Sequence, residues 1–187
     1  MSLQPFTRSD SRTLLETPIF TLRADTAARP DGAHEGTYYV LECPAYVNVV
    51  ALTDDARIIL VRQWRHGTRA VELEIPAGLV EPGEADLDAA ARELLEETGY
   101  GAARWSLLGD VVPNAAIQEN RCATLLAEGC TRVAEPTPDA GEDLEVVLLP
   151  LADLPGLVRD GTIRTALPLA GLFWWLERGG RIDWPLK

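Results

Sequence analysis

Residues 78–100 read GLVEPGEADLDAAARELLEETGY. A Gly- and Pro-containing turn runs into a segment rich in Ala, Leu, Glu and Arg, all strong helix formers, and Gly99 stands where a left-handed C-cap belongs. The helix is expected over about residues 86–98, with Asp86 as N-cap and Asp88 near the positive end of the dipole. Within it Glu93, Glu96 and Glu97 stand at i, i+3 and i+4, so the three carboxylates share one face. Like charges at that spacing cost an exposed helix about 0.2–0.5 kcal/mol per pair. In a drier site of effective dielectric near 20, two carboxylates about 5 Å apart repel by about 3 kcal/mol. That face wants a positive occupant, and a hard divalent cation suits carboxylate oxygens.

Upstream of this stretch the chain reads as strands. Residues 1–17 are a polar lead-in, and IFTLRA (19–24) alternates as a strand does. Pro30-Asp31-Gly32 makes a turn. TYYVLEC (37–43) and YVNVVALT (46–53) are rich in β-formers, and Asp54-Asp55 turns the chain into ARIILVRQW (56–64) as a hairpin. VELEIPA (71–77) sets Val71, Leu73 and Ile75 against Glu72 and Glu74, the pattern of a half-buried strand. Downstream, strands are expected at 104–112, 121–130 and 144–151, with loops at 113–120 and 134–143. A short helix is expected at 151–161 and an amphipathic one at 165–180. Strands first, one inserted helix and closing helices argue a mixed α/β (α+β) layer fold.

Composition narrows the classes. The 187 residues suit one domain with a small appendage, and 47% apolar with 25% charged residues can fill a sizeable core. A net charge of −12 repels nucleic acid and anionic membrane, although bridging metal ions would still admit a small phosphate ester. Cys43, Cys122 and Cys130 show neither zinc-ligand nor disulfide spacing, and two histidines are too few for a histidine-based metal site. The N-terminus has no signal-peptide core and no apolar run is long enough to span a bilayer, so a cytoplasmic setting is expected.

The order Gly78, five residues, Glu84, seven residues, Arg92-Glu93-Leu94, one residue, Glu96-Glu97, one residue, Gly99 resembles the Nudix box of the Nudix hydrolases, with Tyr100 in place of the usual closing aliphatic. The resemblance implies an α/β/α sandwich of mixed sheets and hydrolysis of a nucleoside diphosphate joined to another moiety. It makes Glu93, Glu96 and Glu97, with the backbone carbonyl of Ala77, ligands of Mg²⁺ or Mn²⁺. It makes Glu84 and Arg92 a pair tying loop to helix, and Gly78 the residue that permits the turn. The chemistry is consistent: pyrophosphate oxygens are hard anionic ligands, and cations neutralise charge on the leaving phosphate.

Flanking residues point to a branch. VRQWR (61–65), ELEIPAGLVEPGE (72–84) and the N-terminal strand–PDG–YYVLE pattern resemble the ADP-ribose pyrophosphatase and nucleoside diphosphate sugar hydrolase branch. That likeness implies an N-terminal β extension over 1–45 that helps form a homodimer, and a Nudix hydrolase domain over 46–187. Arg62 and Arg65 are candidates for substrate phosphate, Trp64 for stacking on a base. In the 112–121 loop, Gln118, Glu119, Asn120 and Arg121 are candidate ligand contacts. That loop lacks the Ser-Pro-Gly type of turn found in the ADP-ribose group, so a related nucleoside diphosphate sugar stays open as substrate. A base or water-orienting group is also needed. The branch places a glutamate on a loop before a late strand, which makes Glu142 the first candidate, Glu145 the second and Glu119 a third. Two other functions compete: cleanup of the nucleotide pool, and a non-catalytic ADP-ribose-binding sensor. The retained box carboxylates argue against the sensor.

Overall fold

The computed structural model describes residues 4–138, 141 and 143–179. Its contacts divide into two compact units. The first holds the chain up to Pro44 together with Val112–Arg121, and the second holds Ala45–Val111 and the chain from Cys122 onward.

The first unit is built on an antiparallel sheet of β1 (Thr7–Glu16), β2 (Thr21–Ala28) and β3 (Glu35–Glu42), in that order. The expected lead-in is thus largely a strand. Every residue of β1 is exposed, so it carries no burial pattern to betray it, and pairing with β2 from Thr7↔Ala28 to Glu16↔Thr21 holds it. The strand expected at 19–24 starts two residues later. Half-buried Arg23 donates to Asp25, to Glu42 and, at 2.7 Å, to Glu119. The 112–121 segment is fastened to this sheet by that ion pair, by the Leu41 N–H to the Ile117 carbonyl, and by Asn120 Nδ2 to the Pro44 carbonyl at 2.8 Å.

The second unit centres on a seven-stranded mixed sheet. Its main path runs β12 (Leu144–Pro150), β5 (Arg57–Arg65), β4 (Tyr46–Leu52), β10 (Cys122–Glu128) and β9 (Arg104–Val111). Two shorter strands complete it, β6 (Ala70–Glu74) on β5 and β7 (Ala77–Leu79) on β4. The β4–β10 pair is parallel, with Val47↔Ala123 and Val49↔Leu125, while the other pairs are antiparallel. A two-stranded ribbon, β8 (Tyr100–Gly101) with β11 (Thr131–Arg132), stands apart.

Helices cover both faces. On one, Val47, Val49, Ala51 and Ile59 pack with Ala89, Ala90 and Leu94 of α1 (Asp86–Thr98). On the other, Val50, Ile58 and Leu60 pack with Leu154 of α2 (Leu154–Arg159) and with Leu172 and Trp175 of α3 (Ala166–Glu177). A strand buried on both sides is largely apolar, which is why β4 shows no alternation; its one buried polar residue, Asn48, is bonded to the Leu167 carbonyl. This is the expected α/β/α arrangement. Pro155 is tolerated because it lies in the first turn of α2, where its missing N–H has no partner to lose.

Two local expectations are corrected. Ala85, not Asp86, is the N-cap residue of α1; Asp86 sits in the first turn with Asp88, where negative charge still meets the positive helix end. On β6 the two glutamates are buried, Glu72 to 3% and Glu74 to 5% exposure, while Val71 is 57% exposed.

Candidate active site

Strand β7 and α1 meet edge to face, and the junction sets the chemistry. β7 pairs with β4 through Asn48↔Ala77 and Val47↔Gly78. The Glu93 carboxylate lies against Gly78, and a Cβ there would stand 1.9–2.3 Å from its carboxyl atoms. Close approach, rather than a turn, is what demands glycine at 78; the turn itself is made at Gly83, φ +85°. Glu97, 2% exposed, lies deeper, and its Oε2 accepts the Ala77 N–H at 3.1 Å.

Arg92 is the hub. Its Nε and Nη2 donate to the two oxygens of Glu84 at 3.0 and 2.9 Å, Nη2 also to the Leu79 carbonyl at 2.9 Å, and Nη1 to Glu93 at 2.8 Å and Glu96 at 3.1 Å. The pairing of Glu84 with Arg92 is as the sequence suggests. Those bonds, with the Glu81 N–H, hold the Glu84 carboxyl down at about 2 and raise the guanidinium above its ordinary value. At the far end, Gly99 closes α1 at φ +74°, and an added Cβ would meet the Ala134 carbonyl oxygen at 2.2 Å. Residues 133–137 dress that end, with the Thr137 N–H on the Glu96 carbonyl at 2.8 Å.

A cleft of about 690 Å³ opens beside this junction. Ala77, Gly78, Leu79, Glu81, Arg92, Glu93 and Glu96 form its acidic side. Arg65 to Thr68 and Glu74 line a second side, Thr165 to Pro168 at the start of α3 a third, and Tyr46 and Asn48 of β4 also border it. Buried Asn48 donates to the Leu167 carbonyl at 2.8 Å, tying α3 to the sheet. Arg65 donates through Nε to Glu74 Oε2 at 2.8 Å, and its Nη2 forms an ion pair with the same oxygen at 2.7 Å. The Thr165 hydroxyl oxygen is buried with no hydrogen-bond partner among the described residues.

The sequence-derived candidates separate accordingly. Ala77, Glu93, Glu96, Glu97 and Arg65 come together at or beneath the cleft. Strand alternation puts Arg62 and Trp64 on the other face of β5 from Arg65. Arg62 there pairs with Glu145 at 2.7 Å, and Trp64 is 48% exposed, edge-on to His66. Glu119 and Arg121 belong to the first unit, where Glu119 is engaged by Arg23. Glu142 lies outside the described residues. Sequence reading missed Asn48, Glu74 and Thr165; only Asn48 gave a signal, as the one polar residue in YVNVVAL. All three cysteines are free, and burial pushes the Cys130 thiol up to about 11, so it is an inert core group.

By type the donor set fits a hard cation. Three carboxylates (Glu84, Glu93 and Glu96) share the one Arg92 guanidinium, and Glu97 lies beneath them on the Ala77 N–H. As placed, Glu93 and Glu96 turn onto Arg92, and among the described residues no three Asp, Glu, His or Cys side chains converge on a single metal position.

The NUDIX domain model matches residues 44–167, and the model of the nucleoside diphosphate sugar hydrolase N-terminal domain matches residues 7–41. The chain is 33% identical to an ADP-ribose pyrophosphatase of Mycobacterium tuberculosis over 92% of its own length and 84% of the relative's. It is 32% identical to an ADP compounds hydrolase of Escherichia coli over 73% of this chain and 74% of that one. A crystal structure of an ADP compounds hydrolase superposes with a TM-score of 0.83 at 27% identity, covering 97% of this chain and all of the other. The chain therefore belongs to the Nudix family and is a hydrolase of pyrophosphate bonds.

Proposed function

We propose that the protein hydrolyses ADP-ribose or a closely related nucleoside diphosphate sugar to a nucleoside monophosphate and a sugar phosphate, with Mg²⁺ as the working metal and Mn²⁺ as a substitute. The observation that carries this reading is the Glu93 carboxylate seated against Gly78, in a cleft whose second side presents Arg65. The names of the relatives, which act on ADP-ribose and ADP compounds, support the substrate class.

In this reading Glu93, Glu96 and Glu97, with the Ala77 carbonyl, hold the metal, and Glu93 and Glu96 exchange a bond from Arg92 for it. A divalent cation so bound supplies charge neutralisation at the pyrophosphate oxygens and acidifies nearby water. Arg65 orients the pyrophosphate through charge-assisted hydrogen bonds. The buried Glu97, fixed by the Ala77 N–H, sets the position of β7 relative to α1 and with it the seat of Glu93. Glu142 is assigned as the base that takes the water's proton. Glu145 and Glu119 are weaker choices because each is already bonded to an arginine as an anion.

The N-terminal extension over 1–45 is assigned to homodimer formation, apart from the hydrolase domain over 46–187. Exposed β1, with Leu14, Leu15 and nearby Phe6 and Tyr38, provides the apolar surface such a contact needs. Among the described residues no helix is long and apolar enough to cross a membrane; the acidic charge disfavours nucleic acid and anionic membranes as partners, and a cytoplasmic setting goes with the free thiols.

The test is a substrate panel with Mg²⁺, products resolved by chromatography: ADP-ribose, other nucleotide sugars and nucleoside triphosphates. Turnover led by ADP-ribose or a nucleotide sugar supports the assignment. Turnover of triphosphates alone would establish pool cleanup instead, and binding without turnover would establish the sensor.

A further inference from the structure

Strand β6 carries two buried carboxylates two residues apart, about 7 Å along the strand. Each holds an arginine: Arg65 lines the cleft itself, and Arg164 adjoins in sequence the Thr165–Pro168 segment that lines it. Glu74 Oε2 accepts the Arg65 Nε–H and forms an ion pair with Nη2. Glu72 takes Arg164 bidentately, Nε on Oε2 at 2.9 Å and Nη2 on Oε1 at 2.7 Å. Arg164 immediately precedes Thr165, where the cleft-lining segment of α3 begins. A buried carboxylate is tolerated only with a bonded partner, so each pair is locked from the β6 side. The arginines, by contrast, are about half exposed at their side chains.

We infer that Glu72 and Glu74 are positioning residues: Glu74 fixes the Arg65 guanidinium in one side of the cleft, and Glu72, through Arg164, fixes the adjoining Thr165–Pro168 segment that also lines it. This rests on the functional reading above. An arginine side chain otherwise loses rotamer freedom on binding; held by Glu74, Arg65 meets a pyrophosphate already ordered. Neither glutamate touches the reacting atoms.

Steady-state kinetics with ADP-ribose and Mg²⁺ on five proteins tests it: wild type, Glu74→Gln, Arg65→Gln, their double variant and Glu72→Gln. Glu74→Gln is expected to raise KM about tenfold with kcat within about threefold, because it loosens binding rather than chemistry. In the Arg65→Gln background the same change adds less than about twofold, since its partner is already gone. Glu72→Gln is expected to raise KM as well, through Arg164 and through Thr68, whose side chain also bonds Glu72; a wild-type KM in that variant overturns the Glu72 assignment. A merely structural role would lower the melting temperature and leave KM alone. A wild-type KM in Glu74→Gln, or effects of Glu74→Gln and Arg65→Gln that multiply in the double variant, overturns the inference while leaving the function standing. If Glu74→Gln does not fold, the double variant, which leaves no uncompensated charge, carries the test: KM equal to that of Arg65→Gln upholds it, and a further rise overturns it. Absence of wild-type turnover overturns the functional reading and this inference together.

Discussion

At the scale of single residues, the site depends on contacts that are tight in one place and soft in another. At Gly78 the atoms an added methyl would strike are the far end of a flexible glutamate. Gly78→Ala is therefore expected to push Glu93 from its seat at a stability cost of under about 1 kcal/mol, yet to cut turnover by about a hundredfold. Thermal melts beside initial rates measure both; activity near wild type would mean the seat of Glu93 does not matter. Glu97 differs because it is buried. Glu97→Gln keeps its shape and an acceptor for the Ala77 N–H, so the fold should survive while hydrolysis is abolished. An unchanged rate would remove Glu97 from the metal assignment. Both glutamates were legible in the sequence, because three carboxylates on one helical face need a reason. The burial of Glu72 and Glu74 was not. VELEI alternates as a solvent-facing strand would, and the arginine that neutralises Glu72 lies 92 residues further along the chain.

At the scale of the element, the loop leading into α1 and the helix itself are held by the Glu84–Arg92 pair and ended by Gly99. The Glu84 carboxyl stands at about 2 instead of 4.5, chiefly through its bonds from Arg92. A lowered carboxyl contributes stability that is fully present above pH 4.5 and is lost as pH falls towards 2. Wild type should therefore melt higher than Glu84→Gln at neutral pH, with the difference shrinking through that acid window; a pH-independent gap would contradict the pair's electrostatic role. Gly99 meets backbone, which cannot yield as a side chain does. Gly99→Ala combines left-handed strain with a clash on the Ala134 carbonyl, and about 2–4 kcal/mol of stability should be lost in denaturant titration. The bounds of α1 match the sequence reading at both ends because helix formers, acidic first turn and terminal glycine all agree there. Its cap does not, since a single acidic residue at position 86 fits the first turn as well as the cap.

For the molecule as a whole, the order of strands, one inserted helix and closing helices made the mixed layer class legible in advance. What was hidden was any element whose identity depends on a distant partner: exposed β1, which exists by pairing with β2, and the 112–121 segment, which groups with the N-terminal sheet. Arg23 makes the second point concrete. Burial works against its charge, but bonds to Glu119, Glu42 and Asp25 together raise it above its ordinary value. A peptide of residues 1–45 lacks Glu119 and the Ile117 carbonyl and is expected to be unfolded by circular dichroism; a cooperative melt of that peptide would show the three strands to be sufficient.

The carboxylates of α1 and the adjoining β7 are proposed to support metal-dependent cleavage of a pyrophosphate. The most direct measurement is the release of products from ADP-ribose by chelator-treated protein as Mg²⁺ is added back. Nucleoside monophosphate and sugar phosphate should appear in equal amounts, saturably with metal, and not at all in Glu97→Gln. Release that ignores the metal, or persists undiminished in that variant, would contradict the account.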